Sequence, residues 1–222
     1  MYRLHDIRHG LRDRAFLESL LFGILAILLS LVSVHYSAEF ATNASSNHVT
    51  DIILSNVPAY DVSILFTWGA FAAVLFSIFV VIFLKFRAAP YMLKTAALLL
   101  IIRSIFVSLT HISPYPSKIP LSPYFLSSAT VAQMFFTGDD LFFSGHVGLT
   151  YLMALLLWDT PWLRYTYIAL SIMFAIVVLL GHLHYSIDVF AAFFITHSIY
   201  TISMKIFKTD FARATSELSK AT

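Results

Sequence analysis

The sequence predicts an all-α fold, a polytopic membrane protein built as a six-transmembrane-helix bundle with both termini cytoplasmic. Three observations predict it. Hydrophobic residues fill 59% of the 222 positions and charged residues only 12%, about half the charged share of a soluble domain. The apolar residues form runs long enough to cross a hydrocarbon core of about 30 Å, which takes about 20 residues in a helix. Lys and Arg gather at alternate ends of those runs, as membrane insertion favours.

Each element follows in order. Residues 1–16 carry Arg3, Arg8, Arg12 and Arg14, with Asp6 and Asp13 among them, and read as a cytoplasmic N-terminal segment. The first span is expected over 17–34. It lacks the short apolar core and small-residue cleavage site of a removable signal, so it is expected to stay in place. Residues 35–61 are polar and contain no Lys or Arg. Asn43-Ala44-Ser45 fits a glycosylation sequon, which matters only in a secretory pathway. The second span, 62–84, ends in Lys85 and Arg87, and Pro90 and Lys94 belong to the same basic connection. The third, 95–112, contains Arg103. Residues 113–140 hold Pro114, Pro116, Pro120 and Pro123, which predicts a loop with short helical pieces lying at the interface. A fourth span over 141–158 meets a tight turn at Asp159-Thr160-Pro161. The fifth covers 162–180 and the sixth 184–207, before a polar, basic cytoplasmic tail over 208–222. Residues 17–207 are thus expected to form one six-helix transmembrane domain, with no internal repeat.

Orientation follows from the charges. Twelve of the 14 Lys and Arg residues fall on one side of this topology, Lys118 alone on the other, and Arg103 within a span. That places both ends in the cytoplasm. The short tails favour a bacterial inner membrane over a Golgi or plasma membrane. Absence of cysteine excludes disulfides and thiolate metal sites. The basic residues flank spans and form no separate patch, which argues against a nucleic-acid partner. Oligomeric state has no signal here.

Ionisable groups near the hydrocarbon are usually functional. In the expected topology His146, His184, Asp188 and Arg103 all fall at similar depth near the extracytoplasmic face. Transfer of a phosphoryl group through histidine needs an attacking imidazole, an acid for the leaving oxygen, and cations or amides for the phosphate oxygens. His184 and Asp188, four apart, would share a helix face, and the carboxylate would fix the imidazole tautomer. Ser144-Gly145-His146 at a helix start offers amides and a hydroxyl, with His146 as the candidate acid. Arg103 would supply the cation.

Plainer readings stand beside this one. His184 and Asp188 form an ordinary i, i+4 pair, and Arg103 has Asp139, Asp140 or Asp188 as structural partners. His146, His182 and His184 with nearby aspartates also suggest zinc, although His-x-His on a single helix matches familiar zinc patterns poorly. The 21 Phe and 11 Tyr suit lipid-facing packing and interfacial belts.

Four blocks of the chain resemble the sphingomyelin synthase family, which is related to the type-2 phosphatidic acid phosphatases. Asn56-Val57-Pro58-Ala59-Tyr60-Asp61 is similar to that family's segment before the second span. Arg103-Ser104-Ile105, Thr110 and Pro114-Tyr115-Pro116 resemble its second block. Gly138-Asp139-Asp140-Leu141-Phe142-Phe143-Ser144-Gly145-His146 resembles the third, with one extra residue before Ser144. His182-Leu183-His184-Tyr185-Ser186-Ile187-Asp188-Val189 resembles the fourth.

The resemblance implies six helices and a triad of His146, His184 and Asp188 facing the lumen or periplasm. His184 would be the nucleophile, positioned by Asp188, and His146 would serve the leaving and accepting alcohols. Arg103, Asp139, Ser144, Gly145 and His182 would hold the substrate, with no metal and no cofactor. The partners implied are a membrane phospholipid donor and a lipid-alcohol acceptor such as ceramide or diacylglycerol, joined through a phosphohistidine. The family's acidic residue between the second and third blocks is missing. The phosphatases' spaced Lys and Arg-Pro signature is also absent, and Val177-Val178 stand where they carry a further arginine. With Arg103 the one evident cation, a singly charged phosphodiester fits better than a phosphomonoester. With water as acceptor the same site would be a phospholipase C. Two other classes stay open, a lipid phosphate phosphatase and a non-catalytic lipid-binding or scrambling protein.

Overall fold

The computed structural model describes residues 10, 12–121 and 141–215. It contains seven α-helices among those residues. They are α1 Arg14–Asn43, α2 Ser63–Phe79, α3 Ala89–Leu109, α4 Gly145–Leu156, α5 Pro161–Leu180, α6 Ser186–Ile206 and α7 Lys208–Thr215. Five segments are long and apolar enough to cross a membrane: α1, α2 with its extension to Leu84, α3 with the short turn before it, α5 and α6.

α4 departs from the expected fourth span. It has 12 residues, about 18 Å of helix, too short to cross the hydrocarbon alone. Helix begins only at Gly145 because Phe142 takes a left-handed φ of 92° and Ser144 is extended. The expected helical pieces over 122–140, like Asp139 and Asp140, lie outside the described residues.

α1 runs past its expected end at residue 34 to Asn43, 30 residues in all. Backbone hydrogen bonds do not require apolar side chains, and Ala38, Glu39 and Ala41 favour helix. Its start is set by Asp13, whose carboxylate accepts the amides of Ala15 and Phe16. α2 continues through a wider turn over Val80–Leu84, closed by the Lys85 amide on the Val80 carbonyl at 2.9 Å. A single 3-10 turn, Phe86–Ala88, then reverses the chain into α3. Pro90 sits in the first turn of α3, where its missing N–H is no loss. Lys94 therefore lies inside that helix, not in the connection.

α3 is the central helix, with half of its apolar window buried. α1 packs along it, α6 lies on another side, and α4 is held between α5 and α6. Lipid tails are as apolar as the side chains, so these helices associate by close packing and hydrogen bonds. Gly23 shows the packing: a Cβ there would lie 3.1 Å from Leu93 Cβ on α3. Outward faces such as Leu21, Phe22, Leu25, Leu28 and Leu29 on α1 stay exposed, as a lipid-facing surface does.

α4 and α6 begin at one end of the bundle, where α3 and α5 finish. Two loop segments close this end. Ser46 donates its amide to the His111 carbonyl at 2.9 Å and Ser113 its amide to the Asn47 carbonyl at 3.3 Å. Tyr60 donates to the Leu180 carbonyl at 2.8 Å and Ile119 to the Gly181 carbonyl at 3.2 Å. At the opposite end α7 docks through Asp210, whose Oδ2 lies 2.6 Å from Lys94 Nζ.

Candidate functional site

The start of α6 organises the site. Ser186 is its first residue and Tyr185 its N-cap, so His184 lies just outside the helix. The sequence-based expectation of a shared helix face is corrected here. Asp188, in the first turn, reaches back: its Oδ2 accepts the Tyr185 amide at 3.1 Å and faces His184 Nδ1 at 3.3 Å. One carboxylate thus caps the helix and orients the imidazole. Nε2, across the ring, is the nitrogen directed away from it. Both side chains are almost fully buried.

The start of α4 meets that helix directly. The Ser144 amide donates to the Asp188 carbonyl at 3.2 Å. Arg103, near the end of α3 and 4% exposed, donates from Nε to the Phe143 carbonyl at 3.0 Å. Its guanidinium lies along Gly145, where a Cβ would meet Arg103 Nε at 3.2 Å. Any larger residue there would press on the arginine, which would have to give by a few tenths of an ångström. Phe142 turns the chain at positive φ, which buries Phe143 completely and presents its carbonyl to Arg103. Residues such as Phe142, held in a sparsely populated conformation, concentrate at functional sites.

Ser144 is itself fully buried, it caps α4 without a side-chain hydrogen bond, and its Oγ has no partner among the described residues. Buried hydroxyls are nearly always satisfied. The amides at the start of α4, this hydroxyl and the neighbouring guanidinium give an environment suited to an anion. His146, on the same first turn, packs its ring on Phe66 of α2 at 4.2 Å and Phe174 of α5 at 5.4 Å.

His182 is engaged differently. Its Nε2 faces the Val57 carbonyl at 3.1 Å, which can only accept, so Nε2 carries the proton. Nδ1 then accepts from the Ser117 hydroxyl at 2.7 Å. With φ of 52°, His182 clamps the two outer loops, and both ring nitrogens are occupied by protein. Among the described residues no group of three or more His, Asp or Glu side chains is placed to hold a metal ion.

Asp51 is the residue that sequence reasoning missed. It lies in the loop after α1 and is buried. Its Oδ2 accepts the Ser186 amide at 2.7 Å, and its Oδ1 accepts the amides of Ile53 and Leu54 at 2.9 and 3.1 Å. Burial pushes its pKa up, but the amides of Ser186, Leu54 and Ile53 outweigh that, and the carboxyl lies below its ordinary value. Two carboxylates therefore fasten the first turn of α6, Asp188 from within and Asp51 from 135 positions away. Tyr185 ties the same turn to the loops, donating to the Ser113 carbonyl at 2.8 Å and accepting the Val49 amide at 3.3 Å.

Residues 138–205 match the family model described as PAP2 superfamily C-terminal. The match covers the starts of both α4 and α6 and supports a relationship to that superfamily. No curated protein and no solved structure matches the chain.

Proposed function

We propose that this protein is an integral-membrane lipid phosphotransferase acting through a phosphohistidine, in the manner of the sphingomyelin synthases. The observation that carries the reading is the unpartnered, buried Ser144 hydroxyl at the start of α4, beside Arg103 and hydrogen-bonded through its backbone to Asp188. An anionic phosphate would satisfy that hydroxyl. The match to the PAP2 superfamily supports phosphate-group chemistry on a lipid.

In the reaction, His184 Nε2 attacks the phosphorus of a phosphodiester lipid. An N–P bond forms and the bond from phosphorus to the glycerol oxygen breaks. His146 gives its proton to that oxygen, and diacylglycerol leaves. Asp188 accepts the Nδ1 hydrogen bond and stabilises the positive imidazole as it forms. Ser144, the first amides of α4 and Arg103 take the charge on the phosphate oxygens. A second lipid alcohol then loses its proton to His146 and attacks phosphorus, the N–P bond breaks, and the headgroup phosphate is transferred. The acceptor is a ceramide or diacylglycerol type of alcohol. The excess of Lys and Arg at the other end of the bundle supports a site on the extracytoplasmic face.

The test is purified protein given headgroup-labelled phospholipid with ceramide or with diacylglycerol. Label transferred to the acceptor in a His184-dependent manner is the expected result, and it should persist in chelator. No His184-dependent turnover of any phospholipid dismisses the proposal. The superfamily match also favours a second reading, with water as acceptor, as a phospholipase C or lipid phosphate phosphatase. Release of phosphocholine-type products or of inorganic phosphate, without transfer, would select it.

A further inference from the structure

A cavity of about 580 Å³ opens at the end of the bundle opposite the candidate site. Its volume is within the range of small-molecule sites, roughly 300–1,000 Å³. It lies where α2 ends, α4 turns into α5, and α7 folds back. Ile82, Phe83 and Trp158 belong to its lining and are also about half exposed on the outer surface, so its wall continues into the lipid-facing side of the bundle. Lys85 and Arg87 line it as well, with Tyr200 and His197 from α6.

The charges favour an anion. Among the described lining residues, Lys85 and Arg87 carry positive charge and Asp159 is the one acid. The first turns of α3 and α5 start at Ala88 and Thr160, both in the lining, with no acidic residue and no side-chain cap, and they add to the positive field. An apolar wall that opens to lipid and a basic mouth at one membrane surface suit a molecule with both properties. Basic pockets between helices at the cytoplasmic surface bind anionic headgroups.

We propose that this cavity binds one anionic phospholipid of the leaflet opposite the catalytic one, its headgroup at Lys85 and Arg87 and its acyl chains against Ile82 and Phe83. This second lipid site stands on residues separate from the proposed reaction and does not depend on it. The test is native mass spectrometry of the full chain with phosphatidylglycerol or phosphatidylcholine at equal concentration. Expected is retention of one phosphatidylglycerol roughly tenfold better than phosphatidylcholine, with the preference lost in the Lys85→Gln, Arg87→Gln double variant. A photoactivatable phosphatidylglycerol on the wild-type chain should label peptides containing Trp158 or Tyr200. Equal retention of the two lipids, a preference that survives the double substitution, or labelling confined to the start of α4 and α6 would each overturn the proposal. So would displacement of the lipid by inorganic phosphate alone, which would mark a simple anion site.

Discussion

Both ends of the bundle bury charge, and they treat it in opposite ways. At one end Lys94 Nζ meets Asp210 Oδ2 at 2.6 Å and Ser19 Oγ at 2.8 Å, while Ser19 donates to Asp210 Oδ1 at 2.6 Å. The rings of Phe22 and Phe207 flank the ammonium at 5.1 and 5.9 Å. Lys94, Ser19 and both oxygens of Asp210 are thus all hydrogen-bonded, and the arrangement fastens α7 to α1 and α3. At the other end Arg103, His184 and Asp188 are just as buried, yet Ser144 Oγ beside them is left without a hydrogen bond, and Phe142 is held at positive φ. A satisfied network of this kind secures the fold. An incomplete one, kept at some cost in stability, is where the proposed phosphate would complete the bonding.

Five variants would break or sharpen this contrast. The largest effect is expected from His184→Ala, which should lower turnover of a phospholipid substrate by about 10⁴-fold in steady-state assays while folded yield is kept. Lys94→Ala removes the nearest cation of Asp210 and leaves it Ser19 and Arg213, the latter at 3.7 Å, and chemical or thermal unfolding should show a loss of about 1.5–3 kcal/mol. Turnover per folded molecule should change less than about twofold. Replacing both partners, Lys94→Met with Asp210→Leu, should recover most of that loss. Ser144→Ala should do the reverse of Lys94→Ala, reducing kcat by about 10²-fold with stability unchanged or slightly raised, because an unsatisfied buried group disappears. Stability falling without a change in kcat would make Ser144 a structural residue.

The smallest effect concerns Asp51, and its sign follows from linkage. The folded pKa lies below the ordinary value of 3.8, so the folded chain binds fewer protons than the unfolded one in that range. Its contribution is complete above the unfolded pKa and is lost as pH falls through the folded one. Asp51→Asn should lower the unfolding temperature at neutral pH, and the gap to wild type should narrow as pH drops below about 3.8. A gap independent of pH would show that the carboxylate's charge is not what holds Ser186.

How far the sequence was legible depends on the range of the interaction. α5 and α6 lie within about two residues of their expected bounds because apolar runs flanked by Pro161 and by the Ser186 turn are local signals. α4 was expected too long, since hydropathy does not register the positive φ of Phe142 or the cap at Ser144. α1 was expected too short, since its last nine residues include Ser37, Glu39, Thr42 and Asn43 and yet are helical. Within the site, His184 with Asp188, and Ser144 with Gly145, were visible as short motifs. Their link through the Ser144 amide, and the capping of Ser186 by Asp51, join residues far apart in the chain and carry no local pattern. His182 was visible as a residue of interest, but its clamping of Val57 and Ser117 depends on two distant loops.

The most direct test of the central claim is to trap the covalent enzyme. Protein mixed briefly with phospholipid labelled at the headgroup phosphorus, then quenched in alkali, should carry acid-labile, base-stable label on a peptide containing His184, and His184→Ala should carry none. Phospholipid turnover that proceeds without any such label, or label that persists in His184→Ala, would contradict the account.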